Sequence, residues 1–563
     1  MTENLDLLAE AEAWGIATSY YDWAGGLVHA PIETVEGLVT TFRRNGRTAP
    51  DTIVSGLRDP GRCAPPAKRA WGWALQLYSL RSQDTWGMGD LGCLSQFGRW
   101  AKDEGAGFVM VNPLLAALPT ERQEPSPYYP SSRCFLSPLY LSMKGVPGAE
   151  DVVAPIADVA SALNSTKLIE RDRIFALKMK ALAAIWQSFD GDRRFEAFRA
   201  QRGELLENYC LFAAMTEVHG SSWPEWPEDI RHPSAVGIER TRAELSERVS
   251  FHAWVQWLLD EQLEDAAKQI DLVQDVAVGV DPRGADAWMW QDSFLPGFTV
   301  GAPRDEFNAA GQNWAQPVFD PWALRSNDYA PFIQTIRSTL RHATGLRIDH
   351  VMGLFRIFVI PHGADPSQGT YIRYPHADLL ALLATESQRA GAFVIGEDLG
   401  TVQKQVREEL HRRGILTYRL MFFDGSETKD YPEQSFAAVT THDLPTIAGL
   451  LSGADAEEKR RIGIEVNLEG TERMRSSMND CVPPATADGI VAIHERLSGA
   501  GSVLVSATLE DALGVEQRPN MPGTTDEWPN WRIPLPVPLE QIARSERVHD
   551  VARAMGGAGR DGP

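Results

Sequence analysis

Eight short apolar runs, separated by stretches of helical periodicity, constrain this chain more than any other feature. They fall at residues 73–78, 108–111, 276–280, 393–397, 417–422, 436–440 and 503–507, with one more, after the third, that ends in Arg347-Ile348-Asp349. Residues 94–104 and 403–412 have the pattern of crossover helices. Buried-type strands alternating with helices predict a parallel α/β sheet, and eight of them predict a (β/α)8 TIM barrel. Two long stretches break the rhythm, residues 112–271 after the second strand and 281–328 after the third. The first begins with loop sequence and continues as helix, where Phe251, Trp254, Val255, Leu258, Leu259 and Leu263 make one apolar face. The expected fold is therefore an α/β barrel with large, mainly helical and loop insertions after strands 2 and 3. Residues 1–70 read as a short N-terminal helical segment and linker with no separate β-rich domain, and residues 71–563 as the barrel.

Charge and apolar patterning narrow the partners. A formal net charge of −22 over 563 residues leaves no basic footprint for nucleic acid. No uncharged apolar run reaches membrane-spanning length, so no membrane association is expected. The start, Met1-Thr2-Glu3-Asn4-Leu5-Asp6, lacks the basic and apolar regions of a signal peptide. Cys63, Cys93, Cys134, Cys210 and Cys481 are odd in number, far apart and form no C-x-x-C. They indicate neither a disulfide framework nor a zinc site. Asp281, Asp286 and Asp305 are too loosely spaced for a calcium loop. A cytoplasmic protein without metal or cofactor is expected.

Acidic residues mark three of the strand ends. Asp349 lies in Arg347-Ile348-Asp349-His350, Glu397 in Ile395-Gly396-Glu397-Asp398-Leu399-Gly400, and Asp443 in Thr441-His442-Asp443-Leu444-Pro445-Thr446. The C-terminal ends of barrel strands share one face, so the three carboxylates converge there. Two carboxyl groups across a glycosidic bond give retention of configuration when about 5–5.5 Å apart, and neighbouring strand tips suit that spacing. One attacks the anomeric carbon, and the other protonates the leaving oxygen and later deprotonates the acceptor. A single strand-tip Asp is as often a helix cap or half of an ion pair. The three together carry the inference.

These motifs resemble those of the 4-α-glucanotransferases, the amylomaltase or disproportionating-enzyme family. The resemblance extends to Ser79-Leu80-Arg81-Ser82, Trp86-Gly87-Met88-Gly89-Asp90, Ser126-Pro127-Tyr128 and Ser137-Pro138-Leu139-Tyr140. It continues through Gly284-Ala285-Asp286-Ala287-Trp288, the stretch from Gly301 to Phe307, and Gly311-Gln312-Asn313-Trp314. Asn520-Met521-Pro522-Gly523-Thr524 and Pro529-Asn530-Trp531-Arg532 complete it, so that it spans residues 71–535. It implies a retaining mechanism with Asp349 as nucleophile, Glu397 as acid/base and Asp443 as transition-state stabiliser. It further implies that Arg347, His350 and His442 line the reacting sugar's subsite, with Tyr128 stacked beneath that sugar. Asp305, Gln312 and Trp314 would belong to a loop over the cleft. The implied partners are an α-1,4-glucan or maltooligosaccharide donor and a sugar acceptor.

The chain departs from the family pattern in three places. The Gly-rich Pro-Pro-Asp of the loop reads Ala302-Pro303-Arg304-Asp305, and Val351-Met352 stands where many relatives have Phe-Arg. The N-terminus resembles the helical start of longer bacterial relatives, but the space between Phe42 and Trp71 is too short for their additional β-rich domain. A hydrolase of α-glucans and a non-catalytic glucan-binding barrel are the alternatives. The presence of all three acids weighs against the second.

Overall fold

The computed structural model describes residues 2–49, 61–305, 310–400, 402–480, 488–557 and 559–560. Its centre is a closed barrel of eight parallel strands: β1 (Ala70–Leu75), β2 (Phe108–Val111), β3 (Asp271–Val276), β4 (Gly345–Ile348), β5 (Phe393–Gly396), β6 (Leu416–Leu420), β7 (Ser435–Ala438) and β8 (Leu504–Thr508). Each strand pairs with the next in sequence, and β8 closes on β1 through Thr508 opposite Ala74. Alternation along the strands sorts the side chains. Phe108, Met110, Val273, Phe393, Ile395, Tyr418 and Phe436 fill the lumen, whereas Trp71, Trp73, Val109, Leu272 and Val505 face the surrounding helices. Gly345 shows how tightly the lumen is filled. A Cβ there would lie 2.5 Å from the ring of Phe393 on the next strand, so the large residue occupies the space that the small one leaves.

Two of the expected strands are displaced. The first lies at Ala70–Leu75, and residues 77–79 form a 3-10 turn beyond its tip. The third lies at Asp271–Val276, upstream of the apolar run at 276–280. Its sequence, Asp-Leu-Val-Gln-Asp-Val, has polar residues inside the strand. Gln274 and Asp275 are buried because each finds a partner, Gln274 on the backbone of Arg341 and Asp275 on the side chain of Arg347. The apolar run that follows becomes the exit loop.

The insertion after β2 starts with a small ribbon, Leu115–Ala116 with Ser132–Leu136, and continues into the helices Arg171–Trp186, Arg193–His219 and Ser246–Ala267. The last of these buries the expected apolar face, and also His252, Ala253, Gln256 and Trp257, because neighbouring elements cover it from more than one side. The insertion after β3 contains more β structure than its sequence suggests. Phe294–Ala302 and Gln312–Phe319 pair antiparallel, and two strands that follow β4, Arg356–Pro361 and Thr370–Arg373, extend them into a four-stranded sheet. Gly297, Gly301 and Pro317 within the ribbon obscure its alternation.

The N-terminal segment is fastened to this sheet. Helix Thr2–Ala13, hairpin Ser19–Tyr21 with Leu27–His29, and helix Ile32–Phe42 pack so that Trp14 contacts Phe42 and Trp322. Ile16 bridges Ile372, and the Thr370 hydroxyl donates to the carbonyl of Ala17 at 2.6 Å. Among the described residues no helix is long and apolar enough to cross a membrane. Cys63, Cys93, Cys134 and Cys210 are buried free thiols, and Cys481 lies outside the described residues.

Candidate active site

Asp349 follows the last residue of β4, and its N–H donates to the carbonyl of Val276 at the tip of β3 (3.2 Å). His350 turns the chain there in a left-handed conformation, φ +48°. This is an uncommon state for a side-chain-bearing residue and one that concentrates at functional turns. The turn points the His350 N–H at Glu397 Oε2 (3.0 Å) and the Val351 N–H at the Glu397 carbonyl (3.0 Å). Glu397 stands one residue past β5, and its Oε1 accepts from the N–H of Leu399 (2.7 Å). Both carboxyl oxygens are thus held by backbone. Burial and the charge of Asp349 push Glu397 up to about 7, against the pull of Arg347 and these two N–H groups.

Asp443 lies five residues past β7. Asn520 Nδ2 donates to its Oδ1 at 2.7 Å, His442 Nε2 lies 3.4 Å from its Oδ2, and Arg518 donates to its carbonyl (2.9 Å). About half of its side chain, 48%, is open to the cleft. Loss of hydration against the cleft walls would raise its pKa, but His442, Asn520 and Arg347 outweigh this and hold it at about 2. His442 is correspondingly raised: burial opposes its charge and Asp443 favours it more strongly. Its ring stacks on Tyr128, centroids 4.9 Å apart and planes at 25°.

A buried chain of charges ties these groups together. Arg347 Nη1 donates to both oxygens of Asp275 (2.8 and 2.7 Å), and its Nη2 donates to Asp349 Oδ1 (3.0 Å). Tyr128 donates its hydroxyl to Asp275 Oδ2 (2.7 Å). Burial and the negative charge of Asp349 push Asp275 up to about 6, with Arg347 and Tyr128 pulling the other way. A guanidinium fixed by one carboxylate and donating to a second orients that second carboxylate. The sequence reading missed Asp275. Its signal is the register: Asp275 stands opposite Arg347 across β3 and β4, and two opposite charges facing each other inside a barrel form a pair.

The ribbon after β3 reaches over these residues. Trp314 Nε1 donates to Gln312 Oε1 (3.1 Å), and the indole meets His350 edge-on at 5.6 Å. Gln316 Nε2 donates to the carbonyl of Tyr128 (2.8 Å). The structure thus brings Gln312 and Trp314 to Asp349 and Glu397 through His350. Asp305 is half-buried three residues beyond strand Phe294–Ala302, and Phe307 lies outside the described residues. Burial lowers the pKa of His350, so its imidazole is neutral at pH 7. Among the described residues no group of three or more His, Cys, Asp or Glu could hold a metal ion. The arrangement offers one carboxyl that carries a proton near neutrality, beside carboxylates that Arg347 and Asn520 orient.

Comparison with known proteins gives a consistent picture. A family profile described as 4-alpha-glucanotransferase matches residues 75–539. The 4-alpha-glucanotransferase of Mycobacterium tuberculosis (strain H37Rv) is 39% identical over 542 residues, covering 87% of this chain and 75% of its own. That of Haemophilus influenzae is 31% identical over 545 residues, covering 85% and 77%. Amylomaltase from Corynebacterium glutamicum superposes over all of both chains with a TM-score of 0.85 and 27% identity. Amylomaltase from Streptococcus agalactiae, solved with acarbose, shares the fold at 19% identity, with a TM-score of 0.72 over 88% of this chain and all of that one.

Proposed function

Since this chain belongs to the 4-alpha-glucanotransferase family, and is an enzyme that transfers glucosyl units between α-glucans, we propose that it does so by a double displacement centred on Asp349. In the first half, Asp349 attacks the anomeric carbon of the donor and Glu397 gives its proton to the leaving 4-oxygen. The glycosidic bond breaks and a glycosyl ester forms on Asp349. In the second half, Glu397 takes the proton from the 4-hydroxyl of the acceptor, whose oxygen displaces Asp349 and restores the original configuration. Asp443, ionised, stabilises positive charge on the ring in both halves. Tyr128, Arg347, His350 and His442 form the reacting sugar's cradle, and Asp305, Gln312 and Trp314 serve the acceptor side. The donor is a maltooligosaccharide or α-1,4-glucan, and the acceptor is a second such chain or glucose.

The observation that carries this reading is the environment of Glu397. A carboxyl raised to about 7 beside a carboxylate that Arg347 fixes is the asymmetric pair the chemistry needs. The domain reading goes with it: residues 71–563 as the catalytic barrel and 1–70 as an accessory segment. A cytoplasmic location fits the four buried free thiols. The test is incubation of the pure protein with maltotriose. A ladder of longer chains plus glucose is expected, whereas glucose and maltose with nothing longer would mean a hydrolase.

A further inference from the structure

The mouth of the barrel holds a cavity of about 590 Å³, counting its open entrance. Part of its lining is the machinery already described: Tyr128, Asp275, Arg347 and His442. The lining also includes Gln76 and Glu510, which the mechanism above does not use. They follow neighbouring strand ends: Thr508 of β8 pairs with Ala74 of β1, Glu510 lies in the short helix Leu509–Ala512 that follows β8, and Gln76 is the residue after β1. Glu510 is 7% exposed, and its carboxyl takes a hydrogen bond from its own backbone N–H. The Oε1 of Gln76 is buried and lacks a partner.

Buried polar groups almost always have hydrogen-bond partners, and leaving them without one is costly. One such group, Gln76, shares with the buried carboxyl of Glu510 the lining of the cavity that Tyr128 and His442 also line, and this points to a partner supplied by the ligand. On the proposed function, that ligand is a sugar ring covered in hydroxyl groups. We propose that Glu510, with Gln76 beside it, binds a hydroxyl of the reacting glucosyl ring and is a specificity-determining residue for the transferred sugar. The carboxyl suits the task chemically. Burial, and the charge of Asp511, push it up to about 7, against its own backbone N–H and His442. A protonated carboxyl both donates and accepts, as a sugar hydroxyl does, and so can a carboxamide.

The experiment uses α-maltotriosyl fluoride and its analogues deoxygenated at position 2, 3 or 6 of the fluoride-bearing ring. Fluoride release gives kcat/KM for wild type, Glu510→Gln and Glu510→Leu. The readout is the wild-type to variant ratio for each donor, so that intrinsic reactivity cancels. Glu510→Leu is expected to cost about 10–100-fold on the parent donor. One deoxy analogue should show a ratio near one, because it lacks the hydroxyl that Glu510 holds, and the others should show the full ratio. Glu510→Gln should retain most activity on the parent. A loss equal on all four donors, or no loss, overturns the proposal. If Glu510→Leu does not fold, Glu510→Asp, which withdraws the carboxyl by one methylene, is read by the same ratios. Failure of the underlying mechanism is separate: it would appear as fluoride release that survives Asp349→Asn.

Discussion

At the residue scale the proposed chemistry rests on two neighbouring carboxyl groups, Asp349 and the raised Glu397. Asp349→Asn keeps the shape of the site and removes the nucleophile. Trapping with a fluorinated glycosyl donor, followed by mass spectrometry, should label Asp349 in wild type and nothing in the variant, and a label on Glu397 would reverse the roles. Glu397→Gln should slow transfer from maltotriose by about 10²–10⁴-fold, while a glycosyl fluoride, whose leaving group needs little protonation, keeps most of its first-step rate. On the proposed mechanism the acid form of Glu397 is the active one in that first step, so wild-type kcat/KM on maltotriose should fall as pH rises through about 7. A profile flat to pH 9 would place the proton on another group. The three acids were legible in sequence because each follows an apolar run, at or just beyond its end, where polarity stands out. Asp275 was not, because it lies inside its strand and its charge makes sense only beside Arg347 on the next one.

At the scale of elements, we propose that the ribbon of Phe294–Ala302 and Gln312–Phe319 favours transfer over hydrolysis. The glycosyl ester on Asp349 reacts with water or with a sugar hydroxyl, and water is far more concentrated. A transferase must therefore position the acceptor and limit solvent entry. Trp314, held by Gln312 and set edge-on against His350, lies where it can do both. Trp314→Ala should raise the ratio of new reducing ends to glucosyl units transferred from maltotriose several-fold, and an unchanged ratio would remove the ribbon from this role. Element positions were readable where every residue of a strand is buried, as in Phe108–Val111, which coincides with its apolar run. They were lost where function intrudes. Polar residues displaced the expected third strand, and Gly297, Gly301 and Pro317 made a β ribbon look like loop.

At the scale of the whole molecule, buried acids set the response to pH. Asp286 is pushed up to about 6, and Glu397 and Glu510 to about 7, in each case first by burial. A carboxyl whose pKa is raised by folding contributes stability that is fully present below its unfolded value, 3.8 for Asp and 4.5 for Glu. That contribution is lost as pH rises through 6 to 7. The melting temperature should therefore drop by several degrees between pH 5 and pH 8, and Glu510→Gln should flatten part of that slope. A melting temperature that climbs over this range would mean the acids are charged when folded. Activity should persist after exhaustive chelation, and its loss with rescue by calcium would reveal a metal site.

The fastening of the N-terminal segment to the four-stranded sheet also has a consequence for biosynthesis. Ala17 and Thr370 are 353 positions apart in the chain. At about 5–20 residues per second, the ribosome takes roughly 20 to 70 s to make the second after the first. Throughout that interval Trp14, Ile16 and Phe42 have emerged, or are emerging, without the surface that later buries them. The segment is thus made well before the surface it packs on, and its apolar residues stay uncovered until that surface is made.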